Sequence, residues 1–377
     1  MIYLDSAATT LQKPPAVAKA MAQAVSTLAS PGRGGHRAAM RAAEKAYDCR
    51  RLAAELLRVA QPERVIFTTS ATHGLNIAIR SLVKPGSTAL ISGFEHNAVT
   101  RTLASIPNVT IKTAESGLFA PEEFLRRFEE LLTPEVETVI STHVSNVFGY
   151  ILPIESMAKL CADRRVPLIV DASQSAGCLP IDGDGWGASF VAMPGHKGLY
   201  GPQGTGLLLC GESVKPAPIL TGGTGSASRE QQVPEFLPDR LEAGTHNMPG
   251  IAGLYEGLRF LRQIGSAEIL RREQELVSMM AQGLAQIKGV EPFCDGSRQG
   301  QTGVVSFRIA GQDCEAVGAD LDRAGIAVRA GLHCAPFAHR TAGTLETGTV
   351  RASVSGFNTR GEIAAFLRAV RQIAAKH

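Results

Sequence analysis

The 377-residue chain has no two cysteines in CxxC spacing, and its seven cysteines (Cys49, Cys161, Cys178, Cys210, Cys294, Cys314 and Cys334) leave one over if the rest were bridged. That pattern argues against a disulfide framework, and six of the seven read as buried structural thiols. No apolar run approaches the length of a membrane span, and the amino terminus, Met1-Ile2-Tyr3-Leu4-Asp5, carries no basic segment ahead of an apolar one. A cytoplasmic location without membrane contact is therefore expected. The formal charge of +3 is spread along the chain rather than gathered into a tail or stripe. Nucleic acid is therefore excluded as a partner, while small anionic substrates are not. No Gly-Lys-Ser/Thr end closes any glycine-rich stretch, which excludes a nucleotide P-loop. His333, Cys334 and His339 lack paired ligand spacing, so no metal site is expected. Internal repeats and low-complexity tracts are absent as well.

What is present is a chain 44% hydrophobic and 19% charged, globular and too long for one small core. Apolar spacing predicts helices over 15–28 and 37–57. Strands follow near 65–68, 88–92, 109–113, 138–142 and 167–171, separated by helical stretches such as 75–83 and 154–163. That alternation predicts an α/β fold with a parallel sheet covered by helices. Short runs at 190–193 and 206–210 are expected to complete the sheet. From Gly250 the pattern changes to helices at 252–264 and 267–287, a strand at 303–309, and helices near 315–324 and 359–375. A large domain over 15–255 and a smaller α+β domain made of 1–14 with 256–377 are expected. The irregular stretch 211–249 is long enough to suggest a functional or interface role.

Lys197 follows an apolar run and opens a glycine-rich turn, Gly195-His196-Lys197-Gly198-Leu199-Tyr200-Gly201-Pro202-Gln203-Gly204-Thr205-Gly206. A lysine on a tight turn, with Asp171 ending an earlier apolar strand, suits an amine that forms a Schiff base with pyridoxal phosphate. Ligands of open parallel sheets sit beyond the carboxyl ends of the strands, so the residues after each run matter. After the first strand come Thr68-Thr69-Ser70-Ala71-Thr72, opening a helix whose free N–H groups suit a phosphate, although Ser and Thr also serve there as caps. Glu95-His96-Asn97 follow the second. His143 and Ser145-Asn146 follow a later one. An imidazole can stack on a pyridine ring and an asparagine amide can hold an oxygen; singly, each equally suits a turn or cap. Asp171, with Gln174 after it, can pair with a protonated ring nitrogen or cap the next helix.

Taken together in chain order, these segments resemble the class V aminotransferase group of fold-type I enzymes, and within it the cysteine desulfurases and related selenocysteine lyases. The resemblance spans nearly the whole chain. It includes Tyr3-Leu4-Asp5-Ser6-Ala7-Ala8-Thr9-Thr10, Arg33-Gly34-Gly35-His36, Glu95-His96, His143-Val144-Ser145-Asn146-Val147, Asp171 with Gln174, and Gly195-His196-Lys197. It implies a mainly parallel seven-stranded sheet. It also implies that His96 stacks on the cofactor ring, Asp171 pairs with its nitrogen, Gln174 and Asn146 contact its oxygen, and Lys197 carries it. The phosphate would be held by Ala71-Thr72, by His196 and, from a neighbouring subunit, by Thr245 in Glu242-Ala243-Gly244-Thr245-His246-Asn247. A site completed in this way implies a homodimer.

The segment Arg329-Ala330-Gly331-Leu332-His333-Cys334-Ala335-Pro336 is similar to the shorter, second type of desulfurase loop. Cationic neighbours there would lower a thiol pKa. By the resemblance, Cys334 takes sulfur from L-cysteine as a persulfide and leaves L-alanine, Lys197 moves the α-proton, and His96 or His333 moves others. Arg351, within Val350-Arg351-Ala352-Ser353, would grip the substrate carboxylate through a fork that lysine lacks. Substrate contacts are expected from His36, Asn146, Arg329 and Arg351. A separate sulfur-acceptor protein is a further expected partner. Leu332, Pro194 and Ala71 depart from residues common in relatives, and Gly198 looks inserted, which suggests a side branch. The rival readings are selenocysteine lyase activity, another class V reaction such as transamination or epimerisation, and a non-catalytic scaffold.

Overall fold

The computed structural model describes residues 1–31, 34–296 and 299–375. The chain opens with a short strand, β1 (Ile2–Tyr3), and helices α1 (Pro15–Thr27) and α2 (Arg37–Leu56). It then runs β2 (Val65–Thr68), α3 (Ala71–Leu82), β3 (Thr88–Ser92), α4 (Asn97–Ala104), β4 (Thr110–Ala114), α5 (Pro121–Leu131), β5 (Val136–Thr142), α6 (Ile154–Arg164), β6 (Leu168–Asp171), β7 (Phe190–Pro194) and β8 (Gly206–Cys210). The remainder is α7 (Met248–Ile264), α8 (Ser266–Ala285), β9 (Val290–Phe293), β10 (Val304–Ile309), α9 (Cys314–Arg323), β11 (Ile326–Ala327), β12 (Arg329–Gly331), α10 (Pro336–Thr341), β13 (Thr349–Ser353) and α11 (Arg360–Ala374). No helix among the described residues is long and apolar enough to cross a membrane.

Strands β2 to β8 form one seven-stranded sheet in the order β2-β8-β7-β6-β5-β3-β4. Only β8 runs against its neighbours β2 and β7; the other pairings are parallel. The strands read as unbroken apolar runs because both faces are covered. Leu168 and Val170 join the core that α2, α5, α6 and α7 close, while Ile169 between them joins the core closed by α3 and α4. Residues 190–193 and 207–210 alternate between the same two cores.

A third core lies among α8, α9, α11 and the four-stranded sheet β12-β13-β10-β9. Leu4 from the amino terminus is buried in it, and β1 pairs with β11. Two helices begin a turn earlier than apolar spacing suggests, and both reasons are caps. Ser70 accepts a hydrogen bond from the His73 N–H, starting α3 at Ala71. Asn247 accepts one from the Gly250 N–H, with Pro249 in the first turn of α7.

Candidate active site

The carboxyl ends of β2, β3, β5, β6 and β7 and the helix starts after them open into one cavity. Its walls include Ala71 and Thr72, His96, Thr142, Asn146, Asp171 and Gln174, Pro194, His196 and Lys197. At the α3 end, the Ser70 side chain takes the His73 N–H, which leaves the N–H groups of Ala71 and Thr72 as the positive end of the helix. That end suits an anion. Asp171 is 2% exposed, and its Oδ1 accepts the Ser173 N–H at 2.9 Å. Its other oxygen is thus available to a cationic N–H in the cavity. The Lys197 amine is brought down to about 8 by burial, against the pull of nearby Asp171.

The turn that carries Lys197 is close-packed. A Cβ on Gly198 would sit 2.3 Å from the Ala176 carbonyl oxygen, and one on Gly195 would sit 2.2 Å from Thr205 Oγ1. Gly177, at φ +99°, meets the Gly198 carbonyl from the other side. Gly198 is therefore required by backbone approaching backbone, which ties the lysine's turn to the segment after Asp171.

His96 caps α4, and its Nδ1 accepts the Ala98 N–H at 3.0 Å, so the ring proton sits on Nε2. Burial lowers its pKa, partly offset by Asp171. His196 is brought down to about 4 by burial and by the positive charges of Lys197 and Lys13, and its Nδ1 lies 3.0 Å from Thr9 Oγ1. The Gln174 amide donates to the Ala7 carbonyl at 3.0 Å, and the Asn146 amide to the His333 carbonyl at 2.8 Å.

Cys334 is the exposed cysteine; Cys294 is half-buried and the other five are buried, and all seven are free thiols. Arg329 Nη2 stands 3.6 Å from its sulfur. The loop is docked at the cavity rim, because the Asn97 N–H, next to His96, donates to the Cys334 carbonyl at 2.8 Å. His333 and Cys334 both adopt the left-handed conformation, at φ 52° and 57°. His333 supplies no cation to the thiol. It is 3% exposed, held at about 2 by burial and Arg351, and hydrogen-bonded to His339 and the Arg329 carbonyl.

Other residues singled out in the sequence are not among the cavity walls. Arg351 is 1% exposed; Nη1 donates to the Asn146 carbonyl at 2.9 Å and Nη2 to Asp5 at 2.7 Å, and its charge acts on the cavity residues Lys197 and His96. His36 is exposed at the start of α2, away from the cavity walls, and Arg33 lies outside the described residues. Thr245 lines a different cavity of the same chain, with Phe67, Thr69, His73 and His246. His143 packs edge-on against Trp186, 5.3 Å between centroids.

Lys13 escaped sequence reasoning, and Glu95 and Asp5 entered it only as members of motifs, without a role. Lys13 donates to the His196 carbonyl at 2.8 Å and is brought down to about 8 by burial. Glu95, fully buried, accepts from Ser92 Oγ and from the Thr142 N–H at 2.7 Å, joining the ends of β3 and β5. Asp5 is the partner of Arg351. A lysine or carboxylate isolated in a polar segment carries no local signal of its burial.

The profile of the Aminotransferase class-V family matches residues 2–366. The chain is 31% identical to a probable cysteine desulfurase of Methanothermobacter thermautotrophicus, covering 99% of this chain and 94% of that protein. It is 34% identical to a probable cysteine desulfurase of Mycolicibacterium paratuberculosis, of whose length it spans about half (55%). Among solved structures, the apo cysteine desulfurase of Thermococcus onnurineus superposes with a TM-score of 0.92 at 30% identity over 100% of this chain and 95% of that one. A cysteine desulfurase of Escherichia coli superposes at 0.86 with 26% identity, covering 99% of this chain and 94% of that one. With a family profile over almost its full length, the chain belongs to the class-V aminotransferase family.

Proposed function

We propose that the chain is a pyridoxal phosphate-dependent cysteine desulfurase that converts L-cysteine to L-alanine and receives the sulfur on Cys334. The observation that carries this reading is the exposed Cys334 thiol, with Arg329 at 3.6 Å, on a loop docked at the rim of the cavity that contains Lys197 and Asp171. The residues fit the cofactor: the α3 amino terminus suits its phosphate, Asp171 its ring nitrogen and Lys197 its carbonyl carbon. When bound, it supplies a ring that takes up the electron pair of the substrate's Cα–H bond.

The chain's own residues do the rest. Lys197, brought down to about 8, sits where an amine both takes and returns a proton near neutral pH. His96 is a neutral ring with its proton on Nε2, suited to covering the cofactor and passing a proton at that atom. Arg351 anchors the substrate carboxylate. Cys334 attacks as the thiolate: a bond forms between its sulfur and the substrate sulfur, the substrate's C–S bond breaks, and its electron pair stays with the carbon fragment. Protonation of that fragment gives alanine, and Cys334 is left as a persulfide. Arg329 Nη2, 3.6 Å away, donates to the Cys334 sulfur.

A homodimer is part of the proposal, since the exposed Thr245 stands apart from its own chain's cavity and is available to a neighbour's phosphate site. A sulfur-acceptor protein completes it, because the persulfide must be unloaded at an exposed thiol. The test is purified protein reconstituted with pyridoxal phosphate and given cysteine and selenocysteine in parallel, with alanine and released chalcogenide quantified. Cys334→Ala should retain the cofactor's visible absorbance and lose alanine formation from cysteine. Undiminished turnover of cysteine by that variant would end the persulfide reading, and turnover of selenocysteine alone would make the enzyme a lyase.

A further inference from the structure

A carboxylate docks on arginine with two parallel hydrogen bonds along one edge of the guanidinium, the edge that carries Nε and Nη2. In Arg351 that edge is half filled. Nη2 donates to Asp5 Oδ1 at 2.7 Å, whereas Nε is buried without a partner. The opposite edge is committed, through Nη1, to the Asn146 carbonyl. The surroundings add a demand for negative charge, because Arg329 stands directly across from Arg351 in the β12–β13 ladder. Like charges facing each other across strands repel unless an anion joins them.

Asp5 reaches this edge from a segment that also touches the cavity. Asp5 bridges to Ser353, and the Ala7 N–H donates to Ser353 Oγ at 2.9 Å. The Ala7 carbonyl accepts from the cavity residue Gln174, while Thr10 donates to the carbonyl of His196. The Asp5 side chain itself is 20% exposed, so it has solvent to move into.

We propose that Asp5 is a positioning residue that stands in for the substrate's α-carboxylate. It holds the Nη2 half of Arg351's docking edge in the free enzyme and yields it when a substrate carboxylate takes Nε and Nη2 together. An amine without a carboxylate cannot displace it, so the exchange helps select amino acids. The inference rests on the reading of Arg351 as carboxylate anchor.

The experiment titrates the holoenzyme with L-alanine and, separately, with ethylamine, following the cofactor's absorbance. Removing the internal competitor leaves a buried cation seeking an anion, so Asp5→Asn and Asp5→Ala should each bind alanine about tenfold tighter, with ethylamine binding unchanged. Unchanged or weaker alanine binding in both variants, with Arg351→Gln losing it, would overturn the stand-in role alone. Wild-type alanine affinity in Arg351→Gln would instead remove the anchor reading beneath it. A measurement on the unmodified enzyme covers the case in which the Asp5 variants fail to fold. Amide hydrogen exchange across residues 5–10 should quicken when alanine binds and stay constant with ethylamine, and unchanged or slower exchange with alanine would overturn the proposal.

Discussion

Replacing Thr344 by valine should slow sulfur capture at Cys334, although Thr344 lies about ten residues from it. The Arg329 carbonyl can only accept, so His333 Nε2, 3.2 Å away, carries the proton. His333 Nδ1 then accepts from His339 Nε2 at 3.2 Å, and His339 Nδ1 accepts from the Thr344 hydroxyl at 2.8 Å. Burial holds His339 at about 4 and His333 at about 2, so both rings are neutral and every link is satisfied in this arrangement. His339 is fully buried and Thr344 is 1% exposed, so no water replaces a lost hydroxyl. An orphaned acceptor costs about 1–3 kcal/mol. The loop above has little to spare, since two consecutive left-handed non-glycine residues cost about 1–2 kcal/mol each. Against this stand hydrogen bonds to the His333 ring and to the His333 and Cys334 carbonyls, each worth about 1 kcal/mol net. Thr344→Val should therefore lower single-turnover persulfide formation about five- to tenfold, with unchanged cofactor absorbance and a melting temperature a few degrees lower. Thr344→Ser, which keeps the hydroxyl, should restore the rate. Mass spectrometry of Cys334 after one turnover reads the outcome directly. A wild-type rate in the valine variant would refute the link between this chain of hydrogen bonds and the thiol.

Other expectations concern buried charge. Glu95 is raised to about 8 by burial, above its usual 4.5, so its contribution to stability is whole below pH 4.5 and is lost as pH rises through 8. Glu95→Gln keeps the acceptor for Ser92 and Thr142 but cannot ionise. It should match wild type at about pH 4 and exceed it by roughly 2–5 kcal/mol at about pH 8 in denaturant titrations, and a constant difference would contradict a neutral Glu95. Arg50 holds Glu242 by two hydrogen bonds of 2.8 Å, and Glu242 also accepts from the Phe67 N–H. Arg50→Met should cost about 3–5 kcal/mol by stranding that carboxylate, and adding Glu242→Gln should recover part of the loss. Equal melting temperatures for the single variant and wild type would show the pair to be dispensable.

Much of the large sheet was legible in the chain because strands buried on both faces are written as apolar runs, as at Leu168–Asp171 and Gly206–Cys210. The strands β1, β11 and β12 were not, since two or three residues carry no period and exist only through their partners. The candidate site was legible in part. Polar residues after successive strands had to meet at one sheet edge, and Ala71, His96, Asn146, Asp171 and Lys197 do line one cavity. His36 and Thr245 stand apart from it.

Sequence alone determined the alternating architecture, the lysine turn and the family motifs, because periodicity and the glycines of close backbone contact are local properties. Tertiary structure decided which charge faces which. Arg351 read as a free fork, yet its partner Asp5 lies 346 positions away and reaches it only after the amino terminus docks on β13. His333 read as a cation beside a thiol, yet folding turns it into a neutral link to His339. Burial and partners set protonation and pairing, and neither exists until distant segments have packed.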